Sequence, residues 1–271
     1  MITMPELPEL EAIASKLTER FKDEEVLQAA VLNHLLLYKT TVDQFQNEVK
    51  NSSFNSFRAD GKFLVIELAG PLEIVVNPML AGRFKISHRS KKPTKTDVFA
   101  LRLKRETLWY SDRKQMGRVY LVRNQDYSNV AEFIGRGPSP LDPELTLDIF
   151  IERLRRHRGQ IKNVLRNQKF VKGIGNAYAD EILLYAGILP FRKRSSLSDD
   201  EVSKLFEAMR TILGKFRNLL FKRSIEEIGL EKRDFLMIHG RYGDVCALCG
   251  NRVSEVKANR FKTNYCQKCQ V

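Results

Sequence analysis

The sequence predicts an α+β protein made of several domains. The first half contains many short runs of β-forming residues, the second half shows helical periodicity, and all four cysteines lie within the last 26 residues. Many short strands in succession are typical of an antiparallel sandwich or barrel. With 271 residues, the chain is long enough to form more than one hydrophobic core.

The N-terminal segment contains a candidate nucleophile. Glu6 follows Pro5, and apolar residues then recur at helical spacing over residues 10–20. If the chain is cleaved before Pro5, the proline nitrogen becomes a secondary amine that can attack an aldehydic carbon. An amine beside a carboxyl is the minimum for covalent catalysis with proton transfer on a sugar carbon. The alternative is that Pro5 occupies the first turn of the helix, with acidic residues at its positive end.

Short β-type runs follow the helix as far as residue 122. The predicted strands are residues 26–31, 63–68, 72–76, 83–86, 98–103, 107–110 and 119–122. Turn-forming or charged residues separate these runs. We assign residues 1–126 to this N-terminal β domain.

Three loops of the β domain contain candidate binding residues. Lys62 follows a glycine directly before a strand, where it can direct its ammonium group into a groove; the alternative is a solvated strand end. Pro and Gly surround Met79, for which the alternative is core packing, and cations including Lys114 flank Met116. Apolar side chains beside cations are suited to enter a duplex and fill the space of an extruded base.

The second half is predicted to be helical. A stretch rich in Gly and Pro predicts a linker, placed at residues 127–145, and a helical domain is expected over residues 146–235. Glycines frame a turn after Lys172, and Asn176 is expected to cap the next helix. The backbone amides of this turn, with Asn176 and Lys172, offer a phosphate-binding site. A plain helical hairpin is the alternative.

The four cysteines form two closely spaced pairs, Cys246 with Cys249 and Cys266 with Cys269. Two such pairs predict four thiolates on one structural Zn²⁺ per chain, in a zinc-finger hairpin over residues 236–271. A redox role for either pair is the alternative. Basic residues between the pairs are suited to contact a phosphate backbone: Arg252, Lys257, Arg260 and Lys262.

Charge and hydropathy restrict the class of partner. Lys and Arg number 46 against 33 Asp and Glu, which gives a formal charge of +13 and favours a polyanionic partner such as nucleic acid. No apolar stretch approaches the ~20 residues needed to span a bilayer. The N-terminus has no basic segment followed by an apolar secretory core. We therefore expect a cytoplasmic protein without a membrane partner.

Taken together, these motifs resemble the formamidopyrimidine-DNA glycosylase and endonuclease VIII family of base-excision-repair enzymes. The motifs that carry the resemblance are Met4-Pro5-Glu6-Leu7-Pro8-Glu9, Gly61-Lys62, Gly173-Ile174-Gly175-Asn176, Tyr178-Ala179-Asp180-Glu181, Ile238-His239-Gly240-Arg241 and the four cysteines. The resemblance implies an N-terminal β-sandwich, a helix-two-turn-helix domain and a zinc finger. It also implies that damaged double-stranded DNA is held between the lobes, by a monomer that is associated with the nucleoid when bound.

The resemblance further implies roles for individual residues. The Pro5 nitrogen would attack C1′ of the damaged nucleotide to form a Schiff base, and Glu6 would protonate the sugar. Lys62 would contact a phosphate and transfer protons during strand scission, while Asn176 and Lys172 would hold the phosphates that border the lesion. Strand cleavage by β-elimination, with δ-elimination as a further step, would follow. Arg260 stands closest to the catalytic finger arginine, and the wedge positions are Met79, Lys114 and Met116.

The chain also departs from the pattern of the family. Met1-Ile2-Thr3 precedes Met4, so the working enzyme is expected to start at Met4 or to be trimmed there. The position of the finger arginine holds Phe261, with Arg260 one place earlier. Residues 228–238 are few compared with the loop that caps 8-oxoguanine in the family. We therefore expect a preference for oxidised pyrimidines, ring-opened purines and abasic sites.

Two other functional classes remain open at the level of sequence. One is a catalytically silent or monofunctional DNA-damage-binding protein on the same fold. The other is an RNA-binding zinc-ribbon protein, which fits the charge and the cysteines but not Pro5 and Glu6. Borohydride trapping separates the enzyme from the silent binder, because only an iminium ion is reduced to a stable adduct.

Overall fold

The computed structural model describes residues 4–229, 233–258 and 261–271. The chain divides into two compact units. The first comprises Met1–Ile134 and Leu219–Lys232, and the second comprises Gly135–Asn218 and Arg233–Val271. Strands dominate the first unit and helices the second, so the predicted α+β class is confirmed.

The first unit contains two sheets. Its elements are α1 (Leu7–Phe21), β1 (Gln28–Val31), a 3₁₀ helix (His34–Leu36), β2 (Leu37–Tyr38), α2 (Val42–Val49), β3 (Phe54–Asp60), β4 (Phe63–Leu68), β5 (Leu72–Asn77), β6 (Gly82–His88), β7 (Asp97–Arg102), β8 (Glu106–Asp112) and β9 (Arg118–Arg123). The four-stranded sheet has the order β1-β7-β8-β6, and the five-stranded sheet has the order β2-β9-β5-β4-β3. Pairing is antiparallel except between β2 and β9. The predicted sandwich of antiparallel strands is thereby confirmed.

Strand β3 is absent from the prediction because its apolar residues do not alternate. Phe54 and Phe57 are three residues apart, a spacing that normally places side chains on opposite faces of a strand. A β-bulge between Phe54 and Ser56 adds one residue and restores a common face. The two rings then lie 5.1 Å apart, and both are buried.

One face of the five-stranded sheet is covered by the chain that follows β9. The Phe133 ring packs edge-on against Phe63 at 5.0 Å and stacks on Tyr127 at 4.2 Å. The Tyr127 hydroxyl donates to Glu73 at 2.7 Å and accepts from Arg58 at 2.7 Å. Residues 127–133 are therefore fixed to the sheet by both apolar and polar contacts.

The second unit is built from helices and a C-terminal hairpin. Its elements are α3 (Leu147–Arg155), α4 (Ile161–Arg166), α5 (Asn176–Ala186), a 3₁₀ helix (Arg194–Ser196), α6 (Asp199–Phe221), β10 (Ser254–Ala258) and β11 (Phe261–Tyr265). Between α6 and β10 the chain forms α7 (Ile225–Gly229), which belongs to the first unit. Buried side chains from α3 to α6 form one core, which includes Phe150, Tyr178 and Phe216. In the described part of the chain, no helix combines the length and the apolarity that a membrane span requires.

The turn between α4 and α5 is organised by a glutamine. Gln168 Oε1 accepts from the Gly173 N–H at 2.8 Å, and Gln168 Nε2 donates to the carbonyls of Arg166 and Ile174. The predicted helix, tight turn and helix are present. Asn176, however, is the first residue of α5 rather than its N-cap, which is Gly175. The prediction that Asn176 caps the helix is therefore wrong.

Candidate functional site

Pro5 and Glu6 lie at the start of α1. Glu6 is the N-cap residue, so Pro5 stands outside the helix, and Pro8 occupies the first turn. The alternative that placed Pro5 in the first turn is therefore wrong. Glu6 and Glu9 form a capping box, in which the Glu6 N–H donates to Glu9 Oε2 at 3.1 Å. The Glu6 side chain is 2% exposed, so its carboxyl is held in a fixed position beside Pro5.

Lys62 lies in the tight turn of the β3–β4 hairpin. Asp60 pairs with Phe63, which leaves Gly61 and Lys62 as a two-residue loop. Gly61 has φ +63°, the left-handed value that a turn with glycine in its first central position requires. Lys62 is half-buried. The hairpin therefore presents this ammonium group at one end of the five-stranded sheet.

Strand pairing brings three predicted loops to the same end of that sheet. The β3–β4 turn carries Lys62, and Leu64 of β4 pairs with Val76 of β5. At the end of β5, Asn77 pairs with Arg118 at the start of β9. The loop after β5, residues 78–81, is called the Met79 loop, and the loop before β9, residues 113–117, is called the Met116 loop. Both loops therefore lie at the sheet end that carries Lys62.

Helix α1 points towards the same end of the sheet. Thr18 Oγ1 donates to the Phe57 carbonyl at 3.1 Å, and the Phe21 ring lies 6.1 Å from that of Phe54, so α1 runs antiparallel to β3. From Thr18 back to the start of α1 the helix spans about 16 Å. From Phe57 to Lys62 the strand and turn span about 16 Å. The start of α1, where Pro5 and Glu6 lie, is therefore at about the same height along β3 as Lys62.

The two methionine loops differ in exposure. Met116 is 43% exposed and Lys114 is exposed, as expected for a loop that contacts a partner. Met79 is half-buried, and its neighbour Leu80 is 38% exposed. Asp112, at the end of β8, holds the Met116 loop by accepting three backbone N–H groups. Sequence analysis did not identify Asp112, whose position directly before a Gly-containing loop was the available signal.

In the second unit, the α4–α5 turn lies against the C-terminal hairpin. Asn176 Nδ2 donates to the Lys262 carbonyl at 2.8 Å, and the Lys172 N–H donates to the Pro138 carbonyl at 3.0 Å. The phosphate-binding candidate Asn176 is therefore next to the finger, and Lys172 lies earlier in the same turn. Arg260 lies outside the described residues. At the next position, the guanidinium of Arg166 stacks over the Phe261 ring in a cation–π contact, 3.8 Å from the ring centroid.

A buried polar network fixes the hairpin to the helices. Lys162 Nζ lies 2.6 Å from Asp180 Oδ1 and donates to Thr263 Oγ1 at 2.8 Å. The Nδ1–H of His239 donates to Asp180 Oδ2 at 2.7 Å. Lys162 and Asp180 are both almost fully buried. Sequence analysis assigned no role to these residues, although an Asp-Glu pair inside an apolar helix was a visible signal.

Glu181 completes this connection. Its carboxylate accepts the backbone N–H groups of Met237, Ile238 and His239, each at 2.9 Å. Burial raises the pKa of Glu181 above its ordinary value, and the three N–H donors oppose that shift. One side chain of α5 therefore fixes the start of the segment that leads to the cysteines.

The four cysteines form a compact cluster. All four sulfurs, of Cys246, Cys249, Cys266 and Cys269, lie within 4.8 Å of one another, with distances of 3.9 Å between Cys246 and Cys269 and 3.4 Å between Cys249 and Cys266. Tetrahedral zinc with Zn–S bonds of ~2.3 Å places sulfurs ~3.8 Å apart. Burial raises the pKa of the Cys266 thiol, but the backbone N–H groups of Cys269 and Lys268, together with the neighbouring side chains of Cys249 and Cys269, lower the pKa to about 7. The donor set and spacing fit one Zn²⁺.

Comparison with known proteins agrees with this arrangement. The model of the formamidopyrimidine-DNA glycosylase N-terminal domain matches residues 4–119, and that of the formamidopyrimidine-DNA glycosylase H2TH domain matches residues 136–217. The formamidopyrimidine-DNA glycosylase of Desulfitobacterium hafniense is 30% identical over 278 residues, covering 99% of this chain and 100% of the relative. That of Listeria innocua is 29% identical over 274 residues, covering 98% and 100%. The chain belongs to the formamidopyrimidine-DNA glycosylase family.

Solved structures show the same fold. A Lactococcus lactis formamidopyrimidine-DNA glycosylase in complex with DNA containing an oxidised pyrimidine has a TM-score of 0.90 at 24% identity, covering 98% of this chain and 99% of that one. The same enzyme bound non-covalently to DNA with an abasic site has a TM-score of 0.86 at 23% identity, with the same coverage. The predicted architecture of β domain, helix-two-turn-helix domain and four-cysteine cluster is confirmed.

Proposed function

We propose that this protein is a bifunctional DNA glycosylase and abasic-site lyase of base-excision repair, acting on oxidised or ring-opened bases. The observation that carries this proposal is the convergence of functional groups at one end of the five-stranded sheet. Lys62 and the two methionine loops lie there, and α1 directs Pro5 and Glu6 to the same end. The amine of Pro5, the carboxyl of Glu6, the ammonium of Lys62 and the two methionine loops are therefore placed to act on one extruded nucleotide.

The chemistry follows from these groups. The Pro5 nitrogen, as a free secondary amine, attacks C1′ and expels the base, which gives an iminium ion. Glu6, buried and fixed at the helix start, protonates the sugar ring oxygen and assists ring opening. The iminium acidifies the hydrogen on C2′, so β-elimination breaks the bond to the 3′ phosphate, and δ-elimination then releases the sugar. Lys62 contacts a phosphate and transfers protons in these steps.

The remaining predicted residues hold the DNA. Asn176 uses one hydrogen of its amide nitrogen to bind the Lys262 carbonyl, and the second is available to a phosphate oxygen. Lys172 adds a charge to the same turn, and Arg260 acts from the finger during strand scission. Met79, Lys114 and Met116 occupy the space that the extruded nucleotide leaves. One Zn²⁺ on the four cysteines stabilises the finger and takes no part in the chemistry.

Damaged double-stranded DNA is the proposed partner of a monomeric chain, in the cytoplasm at the nucleoid. The solved relatives support this choice, since the Lactococcus lactis enzyme forms complexes with DNA containing an abasic site or an oxidised pyrimidine, and a mutant of it forms a complex with DNA containing Fapy-dG. We propose that oxidised pyrimidines, ring-opened purines and abasic sites are preferred over 8-oxoguanine. The short segment over residues 228–238 supports this preference.

Borohydride trapping on a duplex with an abasic site tests the proposal. Protein that begins at Pro5 is expected to form a covalent adduct, because its terminal nitrogen is a free amine. Protein that retains Met1-Ile2-Thr3-Met4 is expected to bind the duplex without trapping, because its Pro5 nitrogen is acylated. Glu6→Gln is expected to lose base excision more than lyase activity, and Pro5→Gly to keep some lyase activity.

The outcomes separate the alternatives. If no form of the protein traps but all bind damaged duplex, the protein is a damage-binding protein rather than a lyase. If the extended protein traps as well as the one that begins at Pro5, another amine is the nucleophile, and Lys62 is the first candidate. Preferential binding of single-stranded RNA would favour the RNA-binding alternative.

A further inference from the structure

The Met79 and Met116 loops run side by side across the β domain. The Met79 loop leaves β5 at Asn77 and enters β6 at Gly82, while the Met116 loop leaves β8 at Asp112 and enters β9 at Arg118. Asn77 pairs with Arg118 in one sheet, and Gly82 pairs with Asp112 in the other. The two loops therefore connect the same two pairs of neighbouring strands.

The hydroxyl of Tyr110 lies between the ends of these loops. Tyr110 is in β8, and its ring packs against Phe84 at 5.1 Å and Phe99 at 5.4 Å. A β-carbon on Gly82 would lie 2.3 Å from this hydroxyl oxygen, and one on Gly117 would lie 2.1 Å from it. Gly82 follows the Met79 loop, and Gly117 ends the Met116 loop. Both loops thus lie so close to the Tyr110 hydroxyl oxygen that any residue with a β-carbon would clash with it at these two positions.

Each loop is rigid in its backbone. The Met79 N–H donates to Asn77 Oδ1 at 3.1 Å, and Asp112 accepts from Met116 at 2.9 Å and from Gly117 at 2.7 Å. Met79 has φ +46° and Gln115 has φ +53°, left-handed values that L residues rarely adopt. Such conformations persist where the surrounding contacts determine them. Because the backbone of each loop is rigid, a shift of the glycine at the end of a loop also moves the methionine of that loop.

The Tyr110 hydroxyl is buried at a cost to stability. Among the residues that the structure describes, it has no hydrogen-bond partner, and the residue is 0% exposed. Burial raises its pKa above the ordinary value of tyrosine, so the hydroxyl stays protonated at neutral pH. A buried hydroxyl without a partner is less favourable than the phenyl ring that phenylalanine would place there. The hydroxyl therefore contributes contact between the loops rather than a hydrogen bond.

We propose that Tyr110 is a positioning residue that sets the spacing of the Met79 and Met116 loops, so that the two methionines enter DNA as one unit. This inference rests on the proposed function of both loops. It concerns base extrusion and not the chemistry at Pro5. Loss of the hydroxyl is therefore expected to slow excision of a base from a duplex but not reaction at an abasic site.

Tyr110→Phe and Tyr127→Phe form a matched pair that tests the proposal. Both changes remove one buried or partly buried hydroxyl from the first unit, but that of Tyr127 is hydrogen-bonded to Glu73 and Arg58. Tyr110→Phe is expected to raise the melting temperature, to lower the excision rate of an oxidised pyrimidine about tenfold, and to reduce the fluorescence increase of 2-aminopurine placed beside the lesion. Tyr127→Phe is expected to lower the melting temperature and leave excision unchanged. Wild-type excision and fluorescence in Tyr110→Phe would overturn the inference.

Gly117→Ala provides a second test that does not depend on the stability of Tyr110→Phe. The φ of Gly117 is outside the left-handed region, so alanine is opposed chiefly by the Tyr110 hydroxyl. Gly117→Ala is expected to impair excision, and adding Tyr110→Phe is expected to restore part of it. Gly214→Ala in α6, where a β-carbon meets nothing within 4 Å, is the control. Equal impairment with and without the hydroxyl would refute the coupling.

These results separate the inference from the proposed function. If the protein that begins at Pro5 neither traps at an abasic site nor changes 2-aminopurine fluorescence, the proposed function fails. If it does both, and Tyr110→Phe in the same N-terminal form excises the base and changes fluorescence equally well, only the positioning role of Tyr110 is wrong.

Discussion

Lys162 is a charged residue that the second unit keeps in its interior. Its side chain is 4% exposed and pairs with Asp180, which is fully buried. A buried ion pair is weak evidence for added stability, because two charges lose their hydration. Removing one partner is nevertheless costly, since the other charge remains buried. The value of Lys162 therefore lies in holding β11 to α5 in one register.

Lys162→Met is expected to destabilise the second unit by about 3 kcal/mol, because the Asp180 carboxylate loses its cation. Denaturant unfolding followed by far-UV circular dichroism measures the change, since most helices lie in this unit. The fluorescence of Trp109, the sole tryptophan of the sequence and a residue of β8, provides an internal reference for the first unit.

The matched control is Lys204→Met. Lys204 pairs with Asp200 at 2.7 Å on the surface of α6, where both side chains are more than half exposed. Exposed pairs contribute little to stability. Equal losses in the two variants would show that burial does not decide the effect of Lys162.

The candidate site illustrates how far single residues can be predicted. Pro5, Glu6, Lys62 and Asn176 were singled out because they belong to short motifs that carry the family resemblance. Tyr110 and Asp112 were not, since an aromatic and an acidic residue at a strand end are ordinary. Their roles depend on contacts between loops that are distant in sequence. Local patterns contain no information about such contacts.

Elements are predictable where one physical signal dominates. Strands β4 and β5 were predicted because both are nearly continuous apolar runs, buried along most of their length. Helix α2 was missed although Thr41 and Gln44 form a capping box, because its eight residues bury only Phe45 and Val49. Strand β3 was missed because a bulge changes its side-chain period. Short or irregular elements are fixed by tertiary packing, which a sequence window does not include.

The C-terminal hairpin carries the four-cysteine cluster, whose sulfurs are close enough to bind one metal ion. Its apolar cluster is small and consists of Leu184, Ile238, Val253 and two of the cysteines. Zinc removal by a chelator, or Cys249→Ser, is expected to unfold the hairpin and to weaken binding of damaged duplex at least tenfold, because four thiolates cannot stay together without the metal. Metal analysis of the native protein is expected to give one zinc per chain.

Restoration provides the control for this experiment. Added Zn²⁺ is expected to restore DNA binding after chelation, whereas Mg²⁺ is not, since thiolates prefer zinc to hard cations. The helices of the second unit are expected to remain folded, because their core includes no cysteine. Unchanged affinity of the metal-free protein would refute a structural role for zinc in DNA binding.

At the scale of the whole molecule, the sequence indicates where one unit ends and the next begins more clearly than which distant segments belong to the same unit. The second unit starts at Gly135, within the stretch of residues 127–145 that the sequence assigns to a linker. Nothing in the sequence indicates that Leu219–Lys232 is grouped with the first unit, where α7 packs on α1 and β6. That return of the chain depends on contacts between residues roughly 140 to 220 positions apart.

The net charge of +13 leads to the last prediction, which concerns salt. A protein that neutralises DNA phosphates releases counterions, so its affinity falls as salt rises. With about four phosphates neutralised, binding is expected to weaken roughly 100-fold between ~50 and ~200 mM salt. Fluorescence anisotropy with a labelled abasic duplex measures the slope of the logarithm of affinity against the logarithm of salt concentration.

Single variants show where the charge acts. Lys172→Gln, at the α4–α5 turn, is expected to reduce the slope by about one, because one phosphate contact is lost. Lys50→Gln removes an exposed lysine at the end of α2, away from the proposed phosphate-binding turn, and is expected to leave the slope unchanged. If both variants reduce the slope equally, attraction is spread over the whole surface, and the turn that carries Asn176 and Lys172 is no specific phosphate site.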